Sequence, residues 1–273
     1  MEAQEESFTQ FIGGNNVKFV IPVYQRNYDW KKSNCERLFA DLENIVVTNK
    51  PHFLGTVVYQ SLSYNNGNYY EYIIIDGQQR ILSVILLAKA LGEFIEDANI
   101  NESISAFFIK HSHGLLKNQL RLQPSEYDSG VFQKLMTSEK FKADDFNETE
   151  KLSALYLNYK FFLERISESE FAPIQIYYAL SSLKIVRILL HNENPQEIFE
   201  SLNSTGLDLS NADLIRNYLI MALDYKSQEI LYKEYWLRIE LLLKSSDEVE
   251  NFIVQYLITK RRSDSITDEK KSR

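Results

Sequence analysis

Three stretches of the sequence set an arginine at or near the start of an element, where a phosphate could be gripped. In the first, Ile-Ile-Ile-Asp-Gly-Gln-Gln-Arg followed by Ile-Leu-Ser-Val-Ile-Leu-Leu, an apolar run passes through Asp76, Gly77, Gln78, Gln79 and Arg80 into an apolar helix. A helix start carries free N–H groups and partial positive charge, so a cation in the first turn is unfavourably placed unless something negative meets it. A structural reading makes Asp76 the N-cap, Gly77 a tight turn and Gln79 the reciprocal partner of a capping box. That reading leaves Arg80 unexplained. The chemical reading uses Arg80: N–H groups after a glycine turn bind an anion, and a guanidinium grips phosphate bidentately. The two are compatible, and no P-loop motif is present.

The second stretch is Ile-Pro-Val-Tyr-Gln-Arg-Asn-Tyr-Asp-Trp, in which Arg26 follows a strand and is flanked by Tyr24, Gln25, Tyr28 and Trp30. It reads either as an edge strand with aromatic packing and a solvated arginine, or as a phosphate-gripping arginine with a ring available to stack on a base. In the third stretch Asn203 and Gly206 suit a turn, and Ser210 with Asp213 suits a capping box. Arg216 then falls in an early helical turn. Other candidates offer less. His111 and His113 read as an exposed loop pair without metal-ligand spacing, Cys35 as a small helical hydrophobe, and His52 and His191 have no recognisable partners.

These residues need elements to hold them. Val17, Phe19, Ile21 and Val23 alternate as in a strand, and Pro22 marks an edge or an end. A helix follows with Leu38, Leu42, Ile45 and Val46 at helical spacing and a capping box expected from Ser33 and Glu36. Residues 53–77 read as a hairpin around Asn-Asn-Gly-Asn, whose second strand ends at Asp76. Beyond residue 100 a short strand is expected near Leu122 and a capped helix from Ser125. Helical spacing of Leu152, Leu155, Tyr159, Phe162 and Ile166 comes next, then a helix running into a strand at 184–194, then helices. The fold class is α+β, a small mixed sheet with a mainly helical second half. Segments 1–100, 101–258 and a basic tail or linker at 259–273 are the expected divisions.

Composition narrows the function classes. The 273 residues carry a net charge of −8, which argues against a whole surface built for DNA phosphates. A single cysteine rules out an internal disulfide framework and suits a reducing, cytoplasmic setting. The acidic N-terminus is unlike a signal peptide, and the longest apolar stretch is too short to span a bilayer.

At these stretches the sequence resembles the N-terminal domain of the GmrSD type IV restriction endonucleases, a ParB/sulfiredoxin-like fold. The motifs stand here in order as Ile-Pro-Val-Tyr-Gln-Arg-Asn-Tyr-Asp-Trp, Phe-Leu-Gly-Thr-Val, Asp-Gly-Gln-Gln-Arg-Ile-Leu-Ser and Ile-Phe-Glu-Ser-Leu-Asn-Ser-Thr-Gly-Leu, continuing to Asp-Leu-Ile-Arg-Asn. The resemblance implies a nucleoside triphosphate-binding and hydrolysing module that governs a DNA-cleaving partner domain in defence against phage or modified DNA. It nominates Asp76, Gln78, Gln79 and Arg80 for hydrolysis, with Asp76 reaching Mg²⁺ that comes with the nucleotide. Tyr24, Gln25, Arg26, Gly77, Ser83, Asn203, Gly206 and Arg216 are nominated as nucleotide contacts. The usual Leu-Thr-Thr after the motif is Ile81, Leu82 and Ser83 here, and none of the four histidines sits in a His-Asn-His nuclease context. Two alternatives follow, a nucleotide-switched binding module without turnover and a ParB-like DNA nickase. DNA would be met through a separate C-terminal nuclease domain or partner, no membrane partner is expected, and a homodimer is a further option.

Overall fold

The computed structural model describes residues 1–64, 68–191, 193, 198, 210–221, 223, 225–243 and 246–271. Among them, six strands form one mixed sheet in the order β1-β6-β3-β4-β2-β5. These are β1 (Glu2–Ser7), β2 (Val17–Val20), β3 (His52–Tyr64), β4 (Tyr69–Asp76), β5 (Leu122–Gln123) and β6 (Leu183–Leu190). The β3–β4 pair is the antiparallel hairpin expected from the sequence, although its turn lies outside the described residues. β2 runs parallel to β4 and ends at Val20, before Pro22, which has no N–H to give a ladder. β1 was not anticipated. Its sequence, Glu-Ala-Gln-Glu-Glu-Ser, reads as polar terminus, yet it pairs antiparallel with β6 along an exposed sheet edge.

Helices α1 (Phe8–Ile12), α2 (Lys32–Thr48), α3 (Gln78–Gly92), α4 (Ala98–Ile104), α5 (Glu126–Thr137), α6 (Ala154–Glu168) and α7 (Pro173–Leu180) accompany the sheet. α3 is apolar all round and buried from Ile81 to Leu91, as a central core helix must be. It packs between the sheet and α6, and Phe161, Phe162 and Ile166 of α6 belong to the same core as Ile74 and Tyr59. α5 is capped by Ser125, whose hydroxyl accepts from Asp128 N–H, as expected.

One expected cap is corrected. α2 begins at Lys32, and its first turn is tied by Asn34 Oδ1, which accepts from Lys31 N–H at 2.9 Å. Ser33 and Glu36 therefore make no box; Glu36 is taken up by Arg165 at 3.1 Å.

The chain divides into two compact units. One comprises residues 1–22 and 26–193, with the whole sheet; the other comprises 23–25 and 194–273. The second unit contains α8 (Asn211–Met221), α9 (Tyr225–Leu231), α10 (Leu237–Leu243) and α11 (Ser246–Lys271). Its core gathers Tyr24, Ala212, Ile220, Tyr232, Trp236 and Val249. A π-helical turn at Tyr232–Trp236 joins α9 to α10. No helix among the described residues is long and apolar enough to cross a membrane.

Two glycines set the geometry where β4 meets α3. Gly77 has φ +98°, and a Cβ there would lie 3.1 Å from Thr56 O. Gly55 has φ +124° at a bulge of β3 against β6, and its missing Cβ would meet the Arg80 guanidinium at 3.1 Å. Gly77→Ala should therefore destabilise the protein by about 1–3 kcal/mol in urea unfolding. Unchanged stability would show that the turn does not need its left-handed conformation.

Candidate active site at the start of helix α3

The Asp76–Arg80 stretch forms a strand end, a glycine turn and a helix start, but the capping box does not form. Gly77 is the N-cap, and no side chain bonds to the first N–H groups of α3. The first backbone N–H taken by the turn is that of Ile81, which bonds to Gly77 O at 3.1 Å. Gln79 turns away from the helix start. Its Oε1 accepts from Asp29 N–H at 2.8 Å and Trp30 N–H at 3.2 Å, and its Nε2 donates to Asn27 O at 3.1 Å. Gln78 Nε2 donates to Arg26 O at 2.9 Å.

Arg80 is met by Asp76. Its Nη2 donates to Asp76 Oδ2 at 2.9 Å and to Thr56 O at 2.7 Å. Both side chains are about a quarter exposed, at 28% for Arg80 and 27% for Asp76. A pair this open to water contributes roughly 1 kcal/mol or less. A phosphate, which offers charge-assisted bonds of about 1.5–3 kcal/mol, can compete for the guanidinium. Two buried polar atoms here have no partner, Arg80 Nε and Gln78 Oε1. The Arg26 side chain, half-buried, makes no hydrogen bond or ion pair among the described residues. One donor, one acceptor and one cation are thus unspent around a helix N-terminus with free N–H groups.

A buried network fixes the segment that carries Arg26. Tyr28 N–H donates to Asp128 Oδ2 at 2.7 Å, and Asn158 Nδ2 donates to Trp30 O at 2.7 Å and to the Tyr28 hydroxyl at 3.1 Å. The Tyr28 hydroxyl lies 2.6 Å from Ser83 Oγ, which donates to Gln79 O at 2.8 Å. Burial pushes the Tyr28 phenol well up and the neighbouring Cys35 thiol up to about 11, so both stay protonated. Ser83 is fully buried in this network, and Ile81 and Leu82 are core residues too. The positions where the resemblance expects threonines therefore face the core rather than the helix mouth.

Tyr24, Gln25 and Arg216 belong to the second unit. Arg216 is 3% exposed and fully engaged: Nη2 with Asp213 Oδ1 and Nη1 with Glu240 Oε1, both at 2.7 Å, and Nε with Tyr24 O at 3.0 Å. Glu240 also accepts from the Trp236 indole at 2.8 Å and the Tyr232 hydroxyl at 2.9 Å. Breaking such a buried pair costs about 3–5 kcal/mol, so Arg216 is held in place as a core cation. The box expected from Ser210 and Asp213 is present, with Asp213 N–H donating to Ser210 Oγ at 3.1 Å. Asn203 and Gly206 lie outside the described residues.

His111 corrects another expectation. His113 is exposed, but His111 is buried with Nε2 unpartnered. Burial, then the nearby charges of Arg121 and Lys18, push it down to about 4. Among the described residues no group of three or more His, Cys, Asp or Glu could hold a metal. Asp76 is a carboxylate at the mouth of α3, about a quarter exposed.

A family model for the GmrSD restriction endonuclease N-terminal domain matches residues 8–220, which take in the whole α3 site and the Arg216 helix. The chain belongs to that family. Membership makes it a component of a restriction system. No curated protein matches the sequence. A position beside Arg80 that the sequence did not single out is Gly55, whose Phe-Leu-Gly-Thr setting was visible but whose contact with Arg80 depends on the β3 bulge.

Gln79→Leu would orphan the N–H groups of Asp29 and Trp30 and should cost about 2–4 kcal/mol, whereas Arg26→Ala should change stability by less than about 0.5 kcal/mol. Urea unfolding of the two variants checks this. His111 gives a pH test. Between its ordinary value and about 4 the unfolded chain binds the extra proton, so stability present above that window is lost as pH falls through it. His111→Gln should flatten that part of a stability–pH curve.

Proposed function

We propose that this domain binds and hydrolyses nucleoside triphosphates and so regulates the DNA-cleaving function of its restriction system. The observation that carries the reading is the uncapped start of α3 with Arg80 Nε and Gln78 Oε1 buried and unpartnered beside it. Buried polar groups are paired in the great majority of cases, so two at one helix mouth call for a ligand. A triphosphate brings oxygens for the N–H groups of Gln78, Gln79 and Arg80 and for the guanidinium; a water brings a proton for Gln78 Oε1.

The roles divide accordingly. Arg80 and Arg26 neutralise phosphate oxygens, and charge on the transferring group is where such cations act most strongly. Gln78 orients the attacking water through its free carbonyl. Gln79 is spent on the 27–30 backbone and acts as a positioning residue. Asp76 holds Arg80 in the unliganded site and is the residue that would hold a Mg²⁺ brought by the nucleotide. A Mg²⁺ held there would add to the guanidinium groups of Arg80 and Arg26 and the helix N–H groups the positive charge that phosphoryl transfer needs.

A second reading, a nucleotide-switched module without turnover, shares the binding site and differs only in the last step. A nickase reading has less support, because the described residues hold no metal cluster.

Calorimetric titration of the four ribonucleoside triphosphates with Mg²⁺ tests the binding step. At least one should bind, and Arg26→Ala should weaken it about tenfold or more, in line with loss of one charge-assisted contact. Gln78→Leu should retain binding and lose phosphate release. Absence of binding to any of the four would contradict the proposal; binding without release in the unaltered protein would favour the switch.

A further inference from the structure

Two segments of the chain hold no carboxylate. Residues 7–28 and 103–125 carry five of the 30 lysines and arginines and none of the 38 aspartates and glutamates, so the rest of the chain has a net charge of −13. Arg26 stands at the α3 site, after the end of β2. The other four cations, Lys18, Lys110, Lys117 and Arg121, lie on or beside one hairpin next to the start of β2. An antiparallel bridge between Lys110 and Leu120 closes it, with His111 N–H donating to Gln119 O at 3.0 Å and Asn118 N–H to His111 O at 2.8 Å. The hairpin is anchored at stem and tip. Arg121 Nε donates to Ala106 O at 2.6 Å and Nη1 to Gly14 O at 2.9 Å, His111 and Leu116 are buried, and a Cβ on Gly114 would lie 2.7 Å from Asn16 Oδ1. Its outer side presents Leu115, 58% exposed, with Lys117, Asn118 and Gln119, all exposed.

The cations are largely uncompensated. The ammonium groups of Lys110 and Lys117 make no hydrogen bond or ion pair among the described residues. Lys18 donates to Gln123 Oε1 at 2.7 Å and has Glu71 at 3.9 Å, which among the described residues is the one carboxylate paired with any of the four. Positive charge gathered on one projecting feature of an acidic protein is the footprint of a polyanion. The shape and the tip select duplex DNA. A two-stranded ribbon enters its major groove, about 12 Å wide, whereas that groove in RNA is too deep and narrow to be read. The amides of Asn118 and Gln119 match the donor and acceptor of an adenine edge, and Leu115 matches a thymine methyl. We propose that the hairpin at residues 110–120 is a DNA-reading ribbon, with Leu115, Asn118 and Gln119 in the groove and Lys18, Lys110 and Lys117 on the flanking phosphates.

Fluorescence anisotropy of a short labelled DNA duplex, titrated with the whole chain and no nucleotide, tests this. The unaltered protein should bind at low salt, with a log–log salt slope of about −2.7 for three phosphate contacts. Lys117→Gln should lessen that slope by about one. Lys110→Glu with Lys117→Glu should weaken binding about tenfold or more. Arg37→Glu with Lys50→Glu, the same change of charge on and just after α2, should leave it within about twofold. Leu115→Ser should weaken binding without changing the slope, because no phosphate contact is lost. Lys117 and Leu115 are exposed, so their variants keep the fold and remain decisive even if Lys110→Glu perturbs it. Absence of binding at low salt would overturn the proposal. So would equal weakening by the α2 pair, which would make net charge the cause, or indifference to Leu115→Ser, which would take the tip out of the groove.

Discussion

The site depends on two glutamine side chains that stand in for a neighbouring strand. The backbone from Arg26 to Trp30 belongs to no helix or sheet, and around the buried Tyr28 its polar groups need partners. Gln78 takes Arg26 O; Gln79 takes Asn27 O and the N–H groups of Asp29 and Trp30. Asp128 takes the Tyr28 N–H and Asn158 takes Trp30 O. The first turn of α3 and the segment bearing Arg26 are thereby locked together, and the side chains left over define the chemistry. Gln79 has nothing to spare. Gln78 keeps its carbonyl, Arg80 keeps its Nε–H and the N–H groups of Nη1, and Arg26 keeps its whole guanidinium.

The arginines differ by the strength of what already holds them. Arg80 shares a partly exposed pair with one carboxylate and lies under Gly55, where no side chain intervenes. Arg216 is buried between two carboxylates and a carbonyl in a unit with a small core of its own. The first arrangement is cheap to rearrange and the second is not. Equal placement near helix starts in the sequence thus conceals opposite duties: a recruitable cation in one unit and a fixed one in the other.

Much of the frame was legible because its signals are local. Alternation gave β2 and the β3–β4 hairpin, the run after Gly77 gave α3, and Ser125 and Ser210 cap their helices as their spacing predicts. What failed was decided by partners far away in the chain. Ser33–Glu36 and Asp76–Gln79 both fit a capping box, but Glu36 is claimed by Arg165 and Gln79 by the 27–30 backbone. β1 is written in glutamates because it lies on an exposed edge, where Glu6 answers Arg187 on β6 rather than packing into a core. His111 looks like a loop residue, yet a bridge between Lys110 and Leu120 helps draw it inside.

Amide hydrogen exchange at the start of α3, followed with and without Mg²⁺ and a ribonucleoside triphosphate, tests the central claim at the residues concerned. The N–H groups of Gln78, Gln79 and Arg80 have no helical partner, so phosphate oxygens laid against them should slow their exchange markedly while the interior of α3, already protected, stays unchanged. Protection confined to these amides would locate the nucleotide at the helix mouth. Unchanged exchange there under conditions where the nucleotide is bound would contradict the account and require a binding site elsewhere.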